Sequence, residues 1–466
     1  MNRAHNGYGR VALLCVMWLA TAAPATATDL LQAWRAAQQH DPDYATALAA
    51  RQAGSTRRDQ ASALWRPTVI LSGTAGVAGS DSATRGAQFS APGFGTSRDV
   101  AFNTSINSGV LGRAGLSASL PLFSRERKAQ SRQLALSADS ADLQWQEAGQ
   151  VLMLNTAQRY FDVMLAGESL RVLRQQQVAV DRARVEMKDR FQLGDVPVTD
   201  THEAAARSEA IAAQILGLET DLQLKTAVFT DATGLQPVTL KPLLPEGKAA
   251  PFDPRELAFW LSQAEARNPQ LRLQRFAVEV ARQEVAKTST ALSPNVDVVA
   301  QIGGERLSGS GDFGSATNTA YNRMIGLQIA VPLYTGGMRN ARQQEALHEI
   351  SKALSQADRT RQIVTQQARA AWLGLTVGAR RVTALSQTLA SSRSRLGATR
   401  LGRKVGDRTT MDLLNAENDA ANAELTLLQA RVELLMNRLR LAAVAGQLDE
   451  PWLQSVNAAL QAPAGQ

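Results

Sequence analysis

Side chains able to do chemistry are scarce in this chain. It has four histidines and one cysteine in 466 residues. His40, His202 and His348 stand alone, with no second ligand at metal-binding spacing. His202-Glu203 has no further histidine one helical turn away, so a zincin-type metal helix is not formed. The run Gly73 to Gly79, GTAGVAG, has the glycine content of a phosphate loop but no Lys-Ser/Thr after it. It also falls on a strand pattern, and small-side-chain packing explains it. The Gly-rich run Ser308 to Gly314 reads as an external loop. No nucleophile elbow, metal cluster or cofactor fingerprint occurs, so no enzyme, metal or cofactor is expected. What remains are charges near two glycine turns: Asp200 beyond Gly194-Asp195, and Arg403, Arg408 and Asp412 around Gly406-Asp407. Alone, these are solvated charges near helix turns. The elements that carry them decide whether they are more.

Composition narrows those elements. The chain is 44% hydrophobic, 5% aromatic and 20% charged, with a net charge of +8. The apolar fraction is too high for disorder. Abundant Ala, Leu, Gln and Arg beside few aromatics point to long helices packed through small residues. Arg3 and Arg10 precede the apolar run Val11 to Ala20, and Ala25-Thr26-Ala27 follows as a cleavage pattern. Residues 1–27 therefore read as a secretory signal peptide, too short to span a bilayer. Cys15 sits inside it, so the exported chain is expected to be cysteine-free. A basic chain could bind nucleic acid, but its cations are scattered among acids and an exported protein does not meet nucleic acid.

Ordered landmarks recur. Pro42 matches Pro269, and Leu64-Trp65-Arg66-Pro67 matches Ala291-Leu292-Ser293-Pro294, both at an offset of 227. Leu120-Pro121-Leu122-Phe123 matches Val331-Pro332-Leu333-Tyr334, and Gly167 matches Gly378, at 211; Gly194-Asp195 matches Gly406-Asp407 at 212. The chain reads as a duplication with repeat 1 at 28–234 and repeat 2 at 255–446, and one insertion in the first. Between them, 235–254 is a Pro-rich linker. Residues 447–466 form a tail.

Each repeat changes period along its length. Val69, Leu71, Ala75 and Val77 alternate with small polar residues, as do Val296, Val298, Ala300 and Ile302. Ala114 to Leu120 and Ile325 to Val331 do the same. Period two with one apolar face predicts strands at about 67–79, 112–123, 294–303 and 322–334, near the ~10 residues a tilted membrane strand needs. The Gly/Ser/Asn-rich segments 79–112 and 303–322 read as hairpin loops. Long helices are expected at about 128–193, 198–233, 338–405 and 409–445. Leu134, Ala138, Ala141 and Trp145 begin one heptad run, and Leu425, Leu428, Val432 and Leu435 another, which is coiled-coil spacing. A proline-free stretch of that length could reach ~100 Å. A rod so thin cannot be the core of a globule.

Four strands with a lipid-facing side leave two unpaired edges, which hydrocarbon does not tolerate. Two copies would supply eight strands and three would supply twelve. An eight-stranded barrel is filled by its own side chains, so an open pore favours three.

At this point the chain resembles the TolC-type outer-membrane channel-tunnel family over nearly its whole exported length. The resemblance is carried by Asp41-Pro42 and Asn268-Pro269, by the strand ends Leu120-Pro121-Leu122-Phe123 and Val331-Pro332-Leu333-Tyr334-Thr335-Gly336-Gly337, and by the turn Val405 to Leu414. It implies a mixed α and β membrane protein. A homotrimer would form a twelve-stranded β-barrel continuous with a helical coiled-coil tunnel, belted by linker and tail. It implies location in the outer membrane of a Gram-negative bacterium, a periplasmic adaptor and an inner-membrane ABC or other export pump as partners, and no cofactor. By the same resemblance Asp412 and Asn415 occupy the two ring positions of a periplasmic gate; Asn415 replaces the usual acid, which weakens the expected cation selectivity. Asp200, Arg403 and Arg408 match latch positions, with an Arg403–Asp200 ion pair expected. The tips Leu193, Gly194, Asp195, Val405, Gly406 and Asp407 are expected to dock the adaptor. The expected cargo is polypeptide, in type I secretion, with drug efflux as the alternative.

Overall fold

The computed structural model describes residues 28–236, 240–243, 255–289 and 293–460. The expected signal peptide and most of the linker lie outside the described residues. A helix turn of similar construction opens each half. Helix α1 (Leu30–His40) ends at Asp41, and Asp41 caps helix α2 (Pro42–Ala63), whose first residue is proline. Helix α5 (Leu257–Arg267) ends at Asn268, which caps helix α6 (Pro269–Thr288). A side-chain oxygen at the cap satisfies an orphan N–H, and proline at the first position lacks the N–H that would otherwise be orphaned. The repeated Asx-Pro landmark is thus a helix restart. Asp41 accepts from Tyr44 N at 3.0 Å and pairs with Arg159 at 3.3 Å; Asn268 accepts from Leu271 N and donates to Val444 O at 2.9 Å.

From α2 the chain enters strands β1 (Thr68–Ala91) and β2 (Gly95–Phe123), then the long helix α3 (Arg125–Gln192) and the returning helix α4 (Val198–Thr233). The second half repeats this as β3 (Asn295–Gly311), β4 (Gly314–Ala330), α7 (Met338–Lys404) and α8 (Thr410–Val444), and helix α9 (Glu450–Asn457) closes the chain. With 68 and 67 residues, α3 and α7 each run about 100 Å at 1.5 Å per residue. The equivalent glycines Gly234 and Gly446 end the return helices with φ of +69° and +66°. Each lies against the end of the short helix of its own half: a Cβ would fall 2.5 Å from His40 at Gly234 and 2.4 Å from Arg267 O at Gly446.

The strands form one antiparallel sheet in the order β1-β2-β3-β4. Its extent corrects the sequence reading. Segments 79–112 and 303–322 are not loops: β1 and β2 stay paired from Thr68–Ser119 to Ala91–Gly95, and β3 and β4 from Asn295–Ala330 to Gly311–Gly314. The ladder of main-chain hydrogen bonds does not require apolar alternation, so it continues through Ser80, Asp81, Ser82 and Thr84 where the apolar stripe has stopped. At about 3.3 Å per residue the 24 residues of β1 extend about 80 Å, far beyond a hydrocarbon core of about 30 Å. At the other end β4 stops at Ala330, short of the expected 334, because Pro332 cannot donate to a ladder. Helices α1, α2, α5, α6 and α9, which no sequence periodicity above predicts, pack against the long helices.

The main core lies where α1 and α9 wrap the middle of α3. Tyr160, Phe161, Phe229, Leu30, Leu439 and Leu453 are fully buried there. The Tyr160 hydroxyl sits between the carbonyl oxygens of Lys241 at 2.9 Å and Thr28 at 3.1 Å, and burial pushes its pKa up. Single bridges join Thr28 to Leu240 and Leu243 to Leu460 beside this core.

Candidate functional site

Two surfaces of the chain have no structural explanation within it: the sheet, and the far tips of the helical hairpins. On the sheet, register places Val69, Leu71, Leu116, Ala118, Val298, Ala300, Ile325 and Leu327 on one face. Leu71 is 79% exposed and Ile325 80%. The opposite face carries Ser72, Thr74, Ser117, Gln301 and a cross-strand ion pair in which Arg113 Nε donates to Glu305 at 2.8 Å. One face suits lipid and the other suits water. Among the described residues the outer edges of β1 and β4 have no strand partner. Among the described residues no helix is long and apolar enough to cross a membrane.

The tips are built alike. Helix α3 ends at Leu193, and Gly194 takes φ +80°, letting Asp195 N reach back to Arg190 O at 2.9 Å. Helix α7 ends at Val405, and Gly406 takes φ +83°, letting Asp407 N reach Gly402 O at 2.9 Å. These are left-handed C-terminal caps, for which glycine carries no Cβ penalty. They present Leu193 and Val405 to solvent, 76% and 74% exposed.

Between the two tips the chain makes a polar link that the sequence reading missed. Arg403 pairs with Glu186 of α3, not with Asp200. Glu186 also lies 3.6 Å from Arg190 Nε and accepts from Thr410 Oγ1 at 3.5 Å. Asp200 sits in the first turn of α4, where Thr199 Oγ1 donates to it at 3.5 Å, and within one chain neither Arg403 nor Arg408 reaches it. Arg408 lies over Gly402, with Asp407 3.9 Å away. Only the i,i+4 spacing of Glu186 and Arg190 hinted at this acceptor, and such pairs are ordinary on helix surfaces.

Asp412 has a local role as well. It forms a capping box with Thr409: its carboxylate accepts from Thr409 N at 3.0 Å and Oγ1 at 2.9 Å, while Asp412 N donates to Thr409 Oγ1 at 3.0 Å. The hydrogen bonds from Thr409, with the nearby Arg408 charge, hold its carboxyl below the usual carboxylate range. Asn415 accepts from Arg207 of α4 at 2.9 Å, and a small core of Val180, Ala183 and Leu414 packs beside this bond. Asp412, Asn415, Arg403 and Arg408 therefore share one end of the molecule with both tips. Asp200 shares that end without touching them.

A long helical rod joined to a sheet with one apolar face and open edges fits a component of a membrane channel. The "Outer membrane efflux protein" family description matches twice, at residues 33–235 and 260–447, and the chain belongs to that family. The two matches start 227 residues apart and end 212 apart, the offsets of the sequence landmarks. Outer membrane protein TolC of Escherichia coli is 29% identical over 330 residues, covering 69% of this chain and 66% of TolC. Alkaline protease secretion protein AprF of Pseudomonas aeruginosa is 28% identical over 445 residues, covering 93% of this chain and 88% of AprF. The solved Campylobacter jejuni CmeC outer membrane channel superposes with a TM-score of 0.71 at 15% identity, covering 99% of this chain and 98% of CmeC, and shows the fold. The protein is an outer-membrane efflux or secretion channel of a Gram-negative bacterium, and not an enzyme.

Proposed function

We propose that three copies of the chain close a twelve-stranded barrel in the outer membrane, continuous with a helical tunnel reaching into the periplasm. The observation that carries this reading is the four-stranded sheet with one apolar face and two unpaired edges. Edges facing hydrocarbon leave main-chain groups without partners, and only closure removes them. The apolar alternation spans Val69 to Val77, a band of bilayer height, and the polar continuation of the first hairpin stands outside the membrane.

The duct is the exit of a tripartite export system. Its tips, Leu193-Gly194-Asp195 and Val405-Gly406-Asp407, dock a periplasmic adaptor that connects to an inner-membrane ABC or other pump. Asp412 lines the tip opening with Asn415 above it, and the polar links near Asp200, Arg403 and Arg408 hold it shut. Repeats 28–234 and 255–446 each supply one hairpin and two long helices, while linker 235–254 and tail 447–466 form the belt. The cargo is polypeptide, carried by type I secretion, and the likeness to AprF along 93% of this chain supports it. A second reading, small-molecule efflux, is favoured by the efflux family description. Deleting the gene and following both a secreted polypeptide and dye accumulation tests the two. Loss of secretion with unchanged dye supports the first, and dye retention with intact secretion supports the second.

A further inference from the structure

Three arginines lie where the four strands are paired, and the sheet treats them differently. Arg113 is on the polar face and pairs with Glu305. Arg306 of β3 and Arg323 of β4 are on the apolar face, an even number of residues from Ala300 and Ile325 in a ladder without register shifts. Both are exposed, and among the described residues neither has a hydrogen bond or an ion pair. From Val69 to Val77, and at the positions of β2, β3 and β4 that continue that face, there is no acid to meet them.

Their height on the sheet is defined. Helices α2, α3, α6 and α7 join the strands at one end, so the turn between Gly311 and Gly314 is at the other. Arg306 follows Val296, where the alternation of β3 begins, by ten residues, and about 9–11 residues carry a tilted strand through hydrocarbon. Arg306 therefore stands at the boundary far from the helices. Arg323 is four positions further in, level with Ile302, about 13 Å along the strands at 3.3 Å per residue. Its stem is long enough to bring its charge toward the same boundary. Tyr321 stands between the two, opposite Gly304, and a Cβ on Gly304 would fall 3.2 Å from the ring. Beside Tyr321 and Arg306 the face sinks into a shallow groove of about 670 Å³.

We infer that Arg306 and Arg323, on either side of Tyr321, hold the phosphate groups of a glycolipid in the outer leaflet. This rests on the proposed reading that the apolar face meets lipid, and it names the lipid. An arginine facing hydrocarbon is disfavoured, less so near the interface. A headgroup phosphate supplies the anion that the chain does not, and guanidinium groups bind phosphate through paired hydrogen bonds. The outer leaflet of a Gram-negative outer membrane is built of glycolipid with phosphorylated sugars, and the headgroups of the inner leaflet lie at the opposite boundary, near the helices. Two cations separated along the strands match a headgroup with two phosphates better than a phospholipid with one. Tyr321 has the apolar ring and polar tip that favour an interface, and the groove receives an acyl chain beneath the headgroup.

Native mass spectrometry of the detergent-extracted protein tests this with lipid A as the probe. Lipid A with both phosphates is expected to stay bound, and phosphate-free lipid A or phosphatidylglycerol to be retained about ten-fold less. Arg306→Gln with Arg323→Gln is expected to lower lipid A retention by about the same factor. Arg85→Gln with Arg98→Gln, which removes equal charge from the outer part of β1 and β2, is expected to leave it unchanged. Unchanged retention in the first variant, equal loss in the second, or equal retention of phosphatidylglycerol overturns the site. The comparison of lipids needs no substitution, so it decides the matter even where a variant fails to assemble. Measured on particles of the unsubstituted native size, these results leave closure standing. Particles soluble without detergent overturn the lipid-facing reading itself, and the site with it.

Discussion

Glu186→Gln is the most informative change at the tips. It keeps the shape of the side chain and removes the charge that Arg403 of α7 and Arg190 of α3 share. The Arg403 and Glu186 side chains are 33% and 29% exposed, so water screens the pair and its strength is that of a good surface ion pair, about 1 kcal/mol. If this link helps hold the two hairpins of one copy together at the closed tip, losing it shifts the closed-to-open equilibrium about five-fold, because about 1.4 kcal/mol is tenfold. Single-channel recording of the reconstituted protein reads that shift as a larger open fraction or a higher mean conductance. Arg403→Ala should give a similar shift, and the double variant should give little more than either single change, since they remove one interaction. Additive effects would mean that the two residues act separately. An unchanged conductance in Glu186→Gln with a large rise in Asp200→Ala would place the latch at Asp200 and not at Glu186.

Five further substitutions probe the scaffold and the tip. Gly446→Ala should destabilise the protein more than Gly234→Ala, by about 1–3 kcal/mol against the milder cost of a movable neighbour, because its Cβ meets the Arg267 carbonyl rather than the His40 ring; thermal loss of the folded oligomer measures both. Phe229→Ala should cost about 3–5 kcal/mol, since Phe229 is fully buried against Tyr160 in the belt, and the same melt reads it. Burial alone would raise the Asp29 pKa, but hydrogen bonds from Gln32 N and Lys241 outweigh it and leave the folded value below 3.8. Its contribution is therefore present above the unfolded value and is lost as pH falls through the lower folded one. Asp29→Asn should flatten the acid limb of a Trp34 fluorescence titration below about pH 4. Three Asp412 carboxylates brought around one opening should raise one another's pKa, opposing the lowering that Thr409 causes in one chain. Asp412→Ala should abolish any cation block of the channel that is present at neutral pH and absent in acid, and a block persisting in the variant would count against the ring.

The long helices were legible because nothing in them stops a helix: no proline interrupts α3 or α7, and the tip glycines mark the left-handed caps that end both. The strands were legible only where lipid-type alternation runs. Beyond Val77 the regular apolar alternation stops and apolar residues such as Phe89, Phe102 and Ile106 are scattered, so the sequence shows the composition of a loop, while pairing with β2 keeps it extended. The short helices were announced by Asp41-Pro42 and Asn268-Pro269, which served as repeat markers before their capping chemistry was visible. At the tip, Asp412 and Asn415 were placed beside the turn because the turn itself is local. Glu186 was not found, because its partner Arg403 is 217 positions away and nothing in the spacing along the chain joins them.

In the proposed duct each chain supplies one third of the wall. Native mass measurement of the particle extracted by detergent from the outer-membrane fraction tests it most directly. Three chains per particle are expected, with the apolar faces of β1 to β4 covered by detergent. A single chain, recovered without detergent from the soluble periplasmic fraction, would contradict it.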